Sequence, residues 1–136
     1  MKKFISICIC FFIVFAMTVP AFASDIDTCS NNVKSTDISF SISNSGNATV
    51  VLKYYGKSGV TQKAEISTKI QKKVGVIWVT VSNGSWTDTS SSTNFSTSHS
   101  VQLSSKATYR AHVVFTISGS GGSDDKITKN SEMTYK

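Results

Sequence analysis

Two histidines, His99 and His112, are the chain's whole supply of imidazole, so acid–base chemistry near neutral pH would have to run through one of them. A serine nucleophile needs a base, a group orienting that base and an oxyanion hole in one place. Serine is so abundant here that one lying near a histidine carries no information, and no Gly-x-Ser-x-Gly elbow occurs. Both histidines fall in segments that read as strands and are expected to be ordinary sheet residues. The eight acidic residues lie mostly in loops and termini, which gives no carboxylate pair that could be placed across a cleft. Asp124 and Asp125, with Asp88, could offer oxygens to calcium, but the alternating acidic run of a calcium loop is missing. "GSGG" (Gly119 to Gly122) resembles a phosphate loop only superficially, because no helix follows it. No catalytic residue, metal ligand or cofactor site is expected, and the chain reads as non-enzymatic.

Binding chemistry has better candidates. "KIQKKVGVIWVTVSNGSWTD", Lys69 to Asp88, sets lysines, two tryptophans and β-branched residues side by side. Exposed aromatics stack on sugar rings, and Trp86, Trp78 and Tyr55 (with its neighbour Tyr54) are the candidates. Large aromatics in small sandwiches equally serve as core or lid. Trp78 sits in an apolar run that reads as a core strand. Trp86 follows the Asn83-Gly84 turn within a polar stretch, and both readings stay open for it. Lys72 to Gly75 reads as a hairpin turn with its lysines at the exposed end, where charge discourages edge-to-edge association.

The elements that must position these residues begin after the N-terminus. Met1-Lys2-Lys3, an uncharged apolar run, Pro20 and the small-x-small Ala21-Phe22-Ala23 read as a secretory signal peptide cut after Ala23. No second apolar run long enough to span a bilayer follows, so the processed chain is expected outside the cell without a membrane span. Its length fits one domain. The formal net charge is +6, of which Lys2 and Lys3 leave with the leader. The remaining lysines are scattered and Arg110 is the sole arginine, a poor footprint for nucleic acid. Cys8 and Cys10 leave too, so Cys29 stands alone and no disulfide can form within the processed chain.

Ser24 to Ser35 reads as a flexible lead-in. Period-two alternation then predicts strands at 36–43, 48–55, 62–71, 76–82, 95–104, 108–118 and 126–135, joined by Gly-, Asn- and Ser-rich turns. Ala64, Ile66, Thr68 and Ile70 should face inward. The 76–82 strand is apolar at both parities and reads as central or covered on both faces; Asn83 to Asn94 reads as a loop. About seven short strands without a helix predict an all-β, two-sheet antiparallel sandwich over residues 36–136.

Two resemblances sharpen this. "LSSKATYRAHV" resembles the tyrosine corner of immunoglobulin-like and fibronectin type III sandwiches, with Leu103 closing one strand and Tyr109 opening the next. The turn here is "SSKA" where the fibronectin pattern has Pro and Gly. Over most of the processed chain, the order of a lysine-rich hairpin, Trp78-x-x-Val81, Trp86 and Tyr109-Arg110 is similar to an uncharacterised family of small exported proteins of Gram-positive bacteria. The similarity implies a sandwich fold and an exported address, and implies no activity; the chain itself is expected to be an interaction module meeting a protein or glycan partner at the cell surface.

Overall fold

A computed structural model describes Ser30 to Lys136. The expected signal peptide, Cys29 and the start of the expected lead-in lie outside the described residues. Seven strands follow in order: β1 (Val33–Ile42), β2 (Asn47–Gly56), β3 (Thr61–Val74), β4 (Ile77–Ser90), β5 (Asn94–Gln102), β6 (Ala107–Gly119) and β7 (Asp125–Tyr135). They form two antiparallel sheets, β1-β2-β5 and β4-β3-β6-β7. Among the described residues there is no helix, and so none long and apolar enough to cross a membrane. This is the predicted all-β sandwich.

Period-two patterning explains why the sheets meet where they do. Ala48, Val50, Leu52 and Tyr54 alternate along β2 and are buried against Ala64, Ile66, Thr68 and Ile70 of β3 and the alternating residues of β6 from Tyr109 to Ile117. The outward positions of the same strands are mostly Ser, Thr, Lys and Asn, which suit a solvated pleated face. Leu103 and Tyr109 are buried, and the Tyr109 hydroxyl donates to the Ser105 carbonyl at 2.7 Å. The tyrosine corner expected from the sequence is therefore formed at the β5–β6 connection.

Two expectations change. The chain is built well before Thr36. One carboxylate, Asp125, accepts the backbone N–H groups of Asn31 (2.8 Å), Asn32 (2.6 Å) and Val33 (3.0 Å). The Asn32 side chain is fully buried; it donates to the Ser123 carbonyl and accepts from the Gly121 N–H. Thr61 donates to the Asn32 carbonyl, and Lys57 Nζ donates to the Ser30 carbonyl. A strap at 30–33 thus closes one end of the sandwich, and the Gly-Ser loop between β6 and β7 serves as its socket.

The second change concerns β4. It is an edge strand, and it continues through the expected loop to Ser90. Its apolar residues at both parities do not mark a strand covered on both faces: Val76, in the turn before it, is 95% exposed, Ile77 58% and Val79 46%. β3 and β4 project as a two-stranded ribbon past the last β3–β6 pair, Lys72 with Tyr109, to the Val74–Ile77 pair. The turn itself is Gly75-Val76, with Gly75 at φ +61°, as a two-residue hairpin of the II′ kind requires. Lys72 and Lys73 belong to the strand and not to the turn.

Candidate functional site

The bulge in β4 decides what faces where. Lys69 pairs with Ser85 and Gln71 with Thr80, so Val81 to Gly84 are set against Ile70 alone. Asn83 takes φ +58°, a left-handed conformation that asparagine tolerates better than most residues. Gly84 is buried under Val81, where a Cβ would come within 2.4 Å of Val81 Cγ2. The extra residues invert the parity of the strand beyond them, because side chains alternate strictly along a strand. Trp78, paired with Lys73, therefore lies on the outer face of its sheet, whereas Trp86, paired with Thr68, points inward.

Trp86 meets the other sheet there. Its indole stacks on the His99 imidazole of β5, with ring centroids 4.8 Å apart and planes 8° from parallel. His99 Nε2 donates to Asp88 Oδ2 at 2.7 Å. Both partners of that bond are largely shielded, with side-chain exposures of 17% and 18%. Trp86 itself packs partly buried against the core. One side of the sandwich is closed by packing of β1 on β7. The opposite side carries the unpaired edges of β4 and β5, bridged by Trp86, Asp88 and His99.

Next to this bridge lies a cleft of about 700 Å³. Buried Leu103 and Tyr109 form its base, and Trp86, Val81 and Val101 line it beside them. Val74 and Val79 of the projecting ribbon wall it on one side, and Ser82, Asn83, Ser100 and Gln102 add polar groups. Lys72 crosses from the ribbon to donate to Ser105 Oγ at 2.7 Å. The mixture of branched aliphatics, one indole and hydroxyl and amide groups suits a ligand with both apolar and hydrogen-bonding parts.

The other sequence candidates lie apart. Trp78 is not the core residue expected: the Arg110 guanidinium sits 4.4 Å from its ring centroid and Lys73 Nζ 5.7 Å. Arg110 is held in turn by Gln71 Oε1, which accepts from Nε at 2.8 Å. Tyr55 is 48% exposed on the outer face of the three-stranded sheet, beside Phe95, Lys53 and Asn94. Tyr54 is fully buried, stacks on Phe95 and donates to the Ser92 carbonyl, so it offers no platform.

Sequence reasoning missed the Asp88–His99 pair. The polar run from Asn83 to Asn94 reads as a loop around Asp88, and only a strand passing through Thr87 puts it on the inward face with Trp86. Ser98 and Ser100 flank His99 on β5 and face the opposite way, and among the described residues no hydroxyl hydrogen-bonds the imidazole. Asp125 spends its oxygens on the strap, remote in the sheet register from Asp88, and no cluster of three or more metal-ligating side chains occurs among the described residues. His112 lies on the outer face of its sheet against Asn130.

The sequence matches no protein-family model, and no curated protein matches it at a significant level.

Proposed function

We propose that the protein is an exported, non-enzymatic interaction module, at or outside the cell envelope, that holds a partner along the open side of the sandwich. The observation that carries this reading is the cleft itself: an apolar base, a polar border and two unpaired strand edges on the same side. An extended segment of a partner protein laid there could bond its backbone to β4 or β5 and place side chains against Val81, Val101 and Trp86. Kinship with exported Gram-positive proteins, and cleavage after Ala23, belong to the same proposal.

A photo-crosslinking side chain at Gln102, on the cleft border, tests it in the cells that make the protein, with the same group at Ser39 on an outer face as control. A discrete adduct at Gln102, lost when Val81→Asp is added, is expected. Equal labelling at both positions, or none at Gln102, would overturn the reading.

Glycan binding is the second reading, and Tyr55 favours it. Trp86 already has His99 stacked on its ring and Trp78 has Arg110 over its own. Tyr55, exposed beside Asn94, Ser96 and Lys53, retains both an accessible ring and polar neighbours. Loss of glycan-array signal on Tyr55→Ala, with Val81→Asp silent, would select this reading over the cleft.

A further inference from the structure

The geometry points to the β3–β4 hairpin tip as a docking element for an anionic lipid bilayer. Among the described residues six large apolar side chains are exposed, and four of them, Val74, Val76, Ile77 and Val79, lie within this tip. An apolar cluster exposed on a ribbon that runs past its neighbouring strand marks a surface that becomes covered. Two features select lipid as the cover.

The first is chemical. The tip consists of branched aliphatics on a two-residue turn, and the Val74–Ile77 pair satisfies the backbone on either side of that turn. Few polar groups would thus need to be carried into the acyl boundary, where unsatisfied ones are costly. Valine is under-represented at protein–protein hot spots, which favour Trp, Tyr and Arg.

The second is charge. No acidic residue occurs from Lys69 to Ser82 or from Val101 to Ala111. Within those two segments Lys73 and Arg110 flank Trp78 on the outer face, Lys72 lies on the inner face, and Lys106 is exposed in the adjoining turn beside Ser105. Glu132 on β7 is paired in register with Arg110 and is the one acid on the neighbouring strand at this level. An apolar tip inside a cationic collar, with an indole at the boundary, matches the order of acyl chain, interface and anionic headgroup. The contact would be superficial and reversible, with the sandwich standing on its hairpin.

Residues 30–136 hold both sheets and the entire described core, so the test uses a chain beginning at Ser24, which keeps the strap and omits the apolar leader. Trp86→Phe in the background leaves Trp78 as the single indole. Co-sedimentation with vesicles of phosphatidylglycerol and phosphatidylcholine should retain this protein, and pure phosphatidylcholine should retain about tenfold less or worse. Val76→Asp with Ile77→Asp should abolish retention; both residues are exposed, so the fold should survive, as circular dichroism would verify. Lys73→Gln and Lys106→Gln should each weaken binding about fivefold, and 0.5 M salt should do so further. Trp78 emission should shift to the blue on the anionic vesicles. No retention on anionic vesicles, or retention unaffected by the two aspartates, overturns the inference. If the same aspartates instead abolish self-association seen by sedimentation velocity, the tip contacts a second copy and the lipid assignment fails. The Gln102 crosslink reports on the cleft independently, since neither its partner nor its chemistry requires a bilayer.

Discussion

His99 and Trp86 belong to different sheets, yet their rings lie face to face 4.8 Å apart, and the imidazole is fixed from its far edge by Asp88. On the open side of the sandwich this stack replaces the strand packing that β1 and β7 provide on the other. Removing it should loosen β4 from β5. His99→Ala is expected to cost about 1–2 kcal/mol and to make Trp86 markedly more accessible to acrylamide. Asp88→Asn should produce part of the same effect, and the double-mutant coupling should be about 1 kcal/mol. Unchanged quenching of Trp86 in His99→Ala would show that the stack does not hold this edge.

Tyr109→Phe keeps the ring in its buried site and deletes only the hydroxyl's contacts with Ser105, to its carbonyl at 2.7 Å and to its Oγ at 3.3 Å. A loss of about 1–2 kcal/mol is expected, read as a lower urea midpoint at constant m-value. Because Lys72 reaches the same serine through its Oγ, the ribbon should also become more mobile. Faster amide exchange around Ser105 and in the ribbon together would confirm that the corner anchors both; full retention of the midpoint would remove the corner from the stability argument.

Asp125→Asn tests the strap. The amide keeps the shape but loses the charge and one of the two acceptor oxygens that serve Asn31, Asn32 and Val33. Hydrogen bonds to a charged group contribute more than neutral ones, and a loss of about 2–3 kcal/mol is expected. Amide exchange at residues 31–33 should accelerate well before that of β3 and β6. Equal protection in variant and wild type would mean that the carboxylate is dispensable.

Thr68 is fully buried opposite Trp86, and its hydroxyl has no hydrogen-bond partner. Valine has nearly the same shape without the desolvated oxygen. Thr68→Val should therefore stabilise the protein by about 0.5–1.5 kcal/mol, measurable as a raised melting temperature. A lowered one would reveal a partner for the hydroxyl in solution.

Strands with one wet and one dry face were legible in the sequence. The inward set of β3, Ala64, Ile66, Thr68 and Ile70, follows from alternation alone, and Leu103 with Tyr109 carries a local signature of its corner. What misled was β4. Apolar residues at both parities from Val76 to Val81 look the same whether a strand is sandwiched or projects as a ribbon, because hydropathy records affinity for a cover and not its presence. The polar residues after Asn83 hid a strand whose inward positions are Trp86 and Asp88, and the bulge that inverts their parity depends on Gly84 fitting beneath Val81. The strap escaped for a different reason: Asn31 to Val33 have no periodicity, and their anchor is about ninety positions away.

That separation sets an order of events. The segment at Asn31 is among the first of the sandwich to be synthesised, and the carboxylate that secures it is among the last. Until Asp125 has left the ribosome, the N–H groups of Asn31, Asn32 and Val33 lack their shared acceptor, and Lys57 and Thr61 hold the strap through the carbonyls of Ser30 and Asn32. Long-range closures of this kind are slow to form and come after local ones. The strap is thus among the first parts of the sandwich to be made and among the last to be locked.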